Sequence, residues 1–481
     1  MTSRKLSRRQ FLSIAATASA ATALAACTSQ ASAPTEAPKA EAPKAEPTAT
    51  PKQEAPTEAP KAEAPSTERK PVEFLGWPGD TTTPEEKDKF EAEFPEYELK
   101  YVAQQEGVQL LALIAAGTAP DAARVESNVY QSFAKDGALM DLTDHLRGDP
   151  VLGKPDYFIE PQETQRCAVN GKWYGIGSCW VAPHLYYNAD IFAEEGIEPP
   201  SNDPEKAWDW PYFLDVARKL TIDTNKKHPG EQGFDINSVE RYGIDWPTWW
   251  IPMHAAIQSN EGAWIDPESG KIVLDTPQAT EAMQNIADLN LVHQVKPTSA
   301  AMEGLGMTNT QMLETKKLAM AVDGSWALAW MYQMKGKLGT AVLPKMKRPA
   351  TDMQAHLHVV VSGAKNPEGG WATVKFLSED WFQEKYLMSG LWLPSHTSLM
   401  TPESIKRWCV GPVHPEGYEL IVTQYAPKYG HFLTMPIGYQ KAADTVLTPS
   451  MDKIWTGEAT AAEAMKVVPE ANQVMADEAN R

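Results

Sequence analysis

Tryptophans and carboxylates gather where this chain turns. Trp77-Pro78-Gly79-Asp80, Glu126-Ser127-Asn128 and Asp323-Gly324-Ser325-Trp326 each follow an apolar run. Trp330 comes one helical turn after Trp326, Trp249-Trp250 stands in an aromatic stretch, and Trp392 precedes a turn at Pro394. Sixteen tryptophans is a high count for this length, so those beside Gly, Pro or Asp are the informative ones. An indole stacks on a flat apolar face, while carboxylates and amides take hydroxyls. Sugars present both surfaces at once. Any one of these tryptophans could equally be core; the expectation is that at least three line one cleft.

Covalent chemistry finds less support. Ser362-Gly363-Ala364-Lys365 matches a Ser-x-x-Lys pattern and Tyr186-Tyr187-Asn188 a Tyr-x-Asn pattern, but their order is reversed relative to penicillin-binding enzymes and no Lys-Thr-Gly follows. His356 and His358 share a strand face, yet no third ligand stands at zinc-like spacing. No Gly-x-Ser-x-Gly, Walker or dinucleotide pattern occurs. No catalytic residue, metal or cofactor is therefore expected.

The elements that would hold the aromatic set are readable in outline. Val72–Trp77, Glu98–Val102 and Asp121–Val125 read as strands, separated by helices that open at Thr83-Pro84 and near Val108. A further helix begins near Tyr130. This alternation predicts a parallel sheet with helices on both faces, and ligands bind such sheets at the carboxyl ends of the strands. Trp77 to Asp80 and Glu126 to Asn128 stand at two such ends. Asn170-Gly171 predicts a tight hairpin. Beyond it, helices are expected over 213–220, 276–291, 367–378, 440–454 and 459–467, with strands over 318–322 and 357–362.

The first 70 residues read differently. Ser7-Arg8-Arg9-Gln10-Phe11-Leu12 followed by a short Ala-rich apolar run predicts an export signal over 1–26, resembling the twin-arginine type apart from Ser13. Leu24-Ala25-Ala26-Cys27 resembles a bacterial lipobox, which would place a lipid on Cys27. Residues 27–70 are Ala, Pro, Glu, Lys and Thr, too poor in large apolar side chains to offset the entropy of ordering, so a disordered tether is expected. The formal net charge of −19 argues against nucleic acid and against charge-driven adhesion to anionic lipid. Three further cysteines remain. The hairpin register sets Cys167 opposite Tyr174, about 17 Å along the strand from Cys179, too far for a disulfide. That leaves three free thiols or a Cys179–Cys409 pair.

Several blocks in this order resemble the extracellular solute-binding proteins of ABC importers, the group that includes the maltose-binding protein. "LLALIAAGTAPDAARV" (110–125), "VNGKWYGIGSCWVAPHLYYNADIFAEEGIEPP" (169–200), "MAVDGSWAL" (320–328), "VVVSGAKNPEGGWATVKFL" (359–377), "GLWLPSHTSL" (390–399) and "TGEATAAEAM" (456–465) carry the resemblance across nearly all of 71–470. One departure is Gly177, where the family pattern has proline.

The resemblance implies an α/β, two-lobed periplasmic-binding fold of type II, closing about a hinge. It implies a first lobe of 71–181 with 362–420 and a second of 182–361 with 421–475. Crossings would fall near Cys179–His184, Leu357–Ser362 and Trp408–Tyr425, which would bring Cys179 and Cys409 near the hinge. It further implies a monomer on the outer face of the cell membrane, held there by its lipid alone, that captures a small molecule, a sugar first of all, for the permease subunits of the transporter. The implied site takes Trp77, Asp80, Glu126 and Asn128 from the first lobe, and Trp249, Trp250, Trp326 and Trp330 from the second. Trp326 matches a family tryptophan that stacks on sugar. Trp392 and Tyr439 complete the set, with Asp444 near a position where the maltose-binding protein is aromatic. The rival expectations are an anchored carbohydrate-cleaving enzyme using two carboxylates, and a binder of the same fold for peptide, polyamine or a glycerol-phosphate compound.

Overall fold

The computed structural model describes residues 69–76, 83–103 and 109–480. The export signal, Cys27, most of the tether, Trp77 and Asp80 lie outside the described residues.

Ten of the described strands build two five-stranded sheets: β1 (Lys70–Gly76), β2 (Tyr97–Ala103), β3 (Ala122–Val125), β4 (Gly175–Gly177), β5 (Pro183–Asn188), β6 (Ile222–Asp223), β7 (Val239–Asp245), β8 (Leu318–Gly324), β9 (Leu338–Ala341) and β10 (Leu357–Val360). The first sheet has the order β2-β1-β3-β10-β4 and the second β9-β5-β8-β7-β6. The wholly parallel first sheet expected from the βα alternation holds for β1, β2 and β3 only. β10 runs antiparallel to both β3 and β4. The cause is its path: β10 enters after the chain has traversed the second sheet, so it arrives from the opposite end.

Local signals account for the elements that position the cleft. Helix α1 (Pro84–Glu93) opens on a capping box, with Thr83 accepting from the Glu86 amide and the Glu86 carboxylate answering the Thr83 amide. Its Phe90 is fully buried against Phe94 and Phe376. Helix α2 (Gln109–Ala115) leads to the Gly-Thr-Ala-Pro-Asp block. There Asp121 is structural: its carboxylate accepts from the amides of Glu73 (2.9 Å) in β1 and Asn366 (2.7 Å), the cap of the helix over Pro367–Leu377. Helix α3 (Ser127–Lys135) starts directly at the end of β3, so Ser127 and Asn128 occupy its first turn. In the second half, α4 (Trp250–Ser259) follows the expected aromatic stretch and α5 (Pro277–Leu291) packs against it. Helix α6 (Pro367–Leu377) returns to cover β1 and β10.

The chain passes from the first sheet to the second through Ser178–Ala182, between β4 and β5. It returns through residues 353–356, immediately before β10, and the two passages pair at Val181 and Gln354. This return lies earlier than Leu357–Ser362, because Leu357–Val360 already hydrogen-bonds into the first sheet on both edges. The boundary expected at Val361 moves accordingly. In the segment expected to hold a third crossing, the Trp408 indole N–H bonds Leu399 O and Tyr418 meets His184.

Asn170 and Gly171 both take positive φ (53° and 78°), the backbone that a tight hairpin turn requires. The Tyr130 hydroxyl bridges the two arms, donating to Cys167 O (2.6 Å) and accepting from the Tyr174 amide (3.0 Å). None of the three described cysteines is in a disulfide: Cys167 and Cys179 are buried and Cys409 is half-buried. The Cys179–Cys409 disulfide is therefore not formed.

Candidate functional site

A cavity of about 580 Å³ opens between the ends of the two sheets. Its first-sheet side is Arg124, Glu126, Ser127 and Asn128, where β3 passes into α3. Its second-sheet side is Trp249, Trp250, Trp326 and Trp330, where α4 begins and β8 ends. The floor is Val181 and Gln354 through His356, closed by Leu391 and Trp392.

The aromatic wall is mutually packed and partly bare. Trp249 stands at 89° to Trp250 with centroids 6.2 Å apart, and at 47° to Trp326 at 6.0 Å. Trp249 and Trp330 are 42% and 46% exposed, far more than indoles committed to a core. Gly324 sets the pose of Trp326, because a Cβ there would lie 2.2 Å from the indole ring. The next residue ties this turn to the first passage: the Ser325 amide donates to Ala182 O (2.9 Å) and the Ala182 amide donates to Ser325 Oγ (3.3 Å). Trp392 is different. It is 3% exposed, stacked on Tyr386 at 4.4 Å, and offers the cavity little more than an edge.

The polar groups are concentrated on the first-sheet side. Arg124 and Glu126 form an ion pair at 2.7 Å that faces the cavity. Ser127 Oγ donates to Gln354 Oε1 (2.7 Å), and Asn128 Nδ2 donates to Gln440 Oε1 (3.3 Å), a residue of the C-terminal helices. Burial first, then the charges of Arg124, His358 and Arg166, push the pKa of His356 well below its ordinary value, so the floor carries a neutral imidazole. A neutral imidazole both donates and accepts. The cavity thus offers stacking faces on one side and a paired cation and anion, an amide and an imidazole on the other.

Beneath the floor lies a buried ion pair. Arg166 and Glu163 are 1% and 0% exposed, and the guanidinium lies 3.7 Å over the Trp180 ring while donating to Cys179 O and to Glu163. Glu163 Oε1 also accepts from the Gly177 amide at 2.9 Å. This explains the departure at Gly177. A Cβ there would stand 1.6 Å from an Arg166 nitrogen, and a proline would lack the N–H that Glu163 uses.

Of the residues singled out in the sequence, Glu126, Asn128, Trp249, Trp250, Trp326, Trp330 and Trp392 line this cavity. Tyr439 does not. It is 4% exposed, its hydroxyl accepts from the Trp264 indole (2.9 Å), and it borders an adjoining cavity of about 340 Å³ that shares Asn128, Trp249 and Trp250 with the first. Asp444 borders that second cavity as well. Arg124, Gln354 and His356 line the main cavity without having been foreseen as site residues. Arg124 stands two residues before Glu126, which on a strand is the same face; that signal was available.

The architecture, two mixed α/β lobes with a cleft between them, is the type II periplasmic-binding fold. It superposes on an ABC substrate-binding protein from Listeria monocytogenes in complex with cycloalternan with a TM-score of 0.72, at 19% identity, covering 85% of this chain and 99% of that one. A maltose-bound T. maritima protein gives 0.65 at 18% identity, over 84% and 98% of the two chains. The profile of the bacterial extracellular solute-binding proteins matches residues 77–380, and the chain belongs to that family, which is one of binding proteins and not of enzymes. An arabinooligosaccharide-binding protein of Halalkalibacterium halodurans is 27% identical over 210 residues, 42% of this chain and 41% of its own length. The chain thus spans under half of that relative.

Proposed function

We propose that this protein is the solute-binding component of an ABC importer and that its solute is an oligosaccharide held between Trp326 and the Arg124–Glu126 pair. The observation that carries this reading is the opposition of four tryptophans on one lobe to a row of hydroxyl-binding groups on the other, across one cavity. A hexose ring turned on edge presents its CH face to the indoles and its hydroxyls to Glu126, Asn128 and His356. Hydrogen bonds that involve a charged partner are the stronger kind, which suits Arg124 and Glu126 to fix ring orientation.

Delivery to a permease follows from two-sided contact. A ligand that touches both lobes binds the closed state better, and only such differential affinity shifts the balance of open and closed forms. The lipid on Cys27 and the tether over 27–70 keep the body on the outer face of the membrane, near its transporter, at raised local concentration. Among the described residues no helix is long and apolar enough to cross a membrane. The body acts as a monomer, with residues 71–181 contributing the bulk of one lobe and 182–356 the bulk of the other.

A thermal-shift screen tests the reading, since a ligand that binds only the folded state raises the melting temperature by mass action. Arabino-, malto- and manno-oligosaccharides should include a stabiliser. Stabilisation by peptides or glycerol phosphates with none from any oligosaccharide would overturn it.

A further inference from the structure

Gln354 occupies an unusual place. It is 2% exposed, yet it lines the cavity and lies on the return passage between the lobes. Its backbone pairs with Val181 on the first passage, through Val181 N to Gln354 O (2.8 Å) and Gln354 N to Val181 O (3.0 Å). Its side chain reaches two further segments. Oε1 accepts from Ser127 Oγ at 2.7 Å, in the first turn of α3, and Nε2 donates to Leu433 O at 3.4 Å. The Leu433 segment leads into the C-terminal helices that pack on α5 of the second lobe.

One residue therefore joins four things: both paired passages, the cleft-lining turn of the first lobe, and the lead-in to the second lobe's last helices. A buried amide with both ends engaged is fixed in orientation. The same side chain also hydrogen-bonds the buried Asp352 carboxylate, and its bonds to Ser127 and Leu433 are unequal. The 2.7 Å bond fixes the amide to the first lobe, and the 3.4 Å bond to Leu433 is the longer and weaker one.

We propose that Gln354 is the positioning residue of the hinge: through Ser127 it ties the angle between the lobes to the wall of the ligand cleft. Ser127 has a single proton and spends it on Gln354, while its lone pairs remain available to a ligand hydroxyl. A ligand hydroxyl donating to Ser127 Oγ strengthens the bond Ser127 makes to Gln354, since linked hydrogen bonds polarise one another. The inference rests on the proposed cleft for its purpose, but its physical content, a ligand-free coupling of Ser127 to the hinge, does not depend on which solute binds.

The test uses the ligand-free protein. Fluorophores carried on unnatural amino acids at positions 100 and 226, exposed on the first and second lobes, report the interlobe distance in single molecules. Four proteins are compared: the parent, Ser127→Ala, Gln354→Leu and the double variant. Gln354→Leu should shift the ratio of open to closed molecules by about fivefold, the effect of one buried hydrogen bond. Ser127→Ala should shift it in the same direction, and the double variant should match Gln354→Leu alone, because Ser127 acts through Gln354. Gln354→Met, which keeps the length of the side chain and loses its polar bonds, guards against a Leu variant that does not fold; it too should shift the ratio. Additive effects of Ser127→Ala and Gln354→Leu would overturn the proposal, as would a lowered melting temperature with an unchanged distance distribution. The oligosaccharide reading would survive either result, since it stands on the thermal-shift screen.

Discussion

Removing the Trp326 indole should cost affinity far more than stability. The ring lies over Gly324 and beside Trp249, with its other face toward the cavity. A ligand stacked there covers roughly a third of the ~200 Å² an aromatic side chain can bury, or about 70 Å². At about 25 cal/mol per Å² this is about 2 kcal/mol, or a Kd raised about 30-fold in Trp326→Ala. A fully desolvated anchor would lose up to ~4 kcal/mol. Titration calorimetry with the best oligosaccharide from the thermal-shift screen measures this, and urea unfolding of the same variant measures stability. Two comparisons sharpen the result. Gly324→Ala keeps the indole but places a methyl 2.2 Å from it, so the ring must move and affinity should fall without loss of the aromatic group. Trp246→Ala removes a 1% exposed indole packed on Trp210 and Phe213, outside the cleft, and should cost about 3–5 kcal/mol of stability. If Trp326→Ala behaves like Trp246→Ala, losing stability and affinity together, Trp326 is core and the stacking assignment is wrong.

Three other outcomes are expected. Glu163→Gln strands the buried Arg166 charge and should lower the unfolding free energy by about 3–5 kcal/mol, read from the urea midpoint; a change near zero would mean the pair is not buried in solution. Burial raises the Asp323 carboxyl to about 6, so between its unfolded value and 6 the native state holds a proton that the unfolded state has released. Its contribution to stability therefore falls as pH rises, and Asp323→Asn should raise the melting temperature relative to the parent at pH 7.5, with the gain gone by pH 4; an equal effect at both values would contradict the assignment. Cys27→Ser should move the protein from the membrane fraction to the soluble one without altering its melting temperature, and retention on the membrane would remove the lipid anchor from the account.

The legible parts of this molecule were those written in short-range signals. Thr83, Pro84 and Glu86 announce α1 because a capping box needs residues only three apart. Asn170-Gly171 announces the hairpin because few other residues accept positive φ twice in succession. The antiparallel entry of β10 into the first sheet was hidden, since its partners on β3 lie more than two hundred residues earlier and no local pattern records such pairing. Helices over 440–454 and 459–467 were placed, but not the helix Val468–Ala479 nor the π-type turns over Ile421–Tyr425 and Ala443–Leu447, which have no comparable signature. In the site, tryptophans in turn contexts were readable because a large apolar ring beside Gly or Asp has little core to enter. Arg124 could have been read from its spacing to Glu126, but Gln354 and His356 could not, because each sits beside a strand where alternation describes core and cleft alike. Tyr439 misled for a related reason: its ring faces inward to Trp264, and nothing local distinguishes that from facing the ligand.

The central claim is that one solute is held by both lobes at once. Small-angle scattering of the protein, free and saturated with the oligosaccharide that most raises its melting temperature, tests it most directly. To carry a mostly open population to a mostly closed one, the ligand must favour the closed form by roughly 5 kcal/mol, more than contacts to one lobe supply. The account predicts a smaller radius of gyration in the saturated protein and no such change in Trp326→Ala at the same ligand concentration. An unchanged radius at saturation would contradict it, because the solute would then be held by one lobe alone.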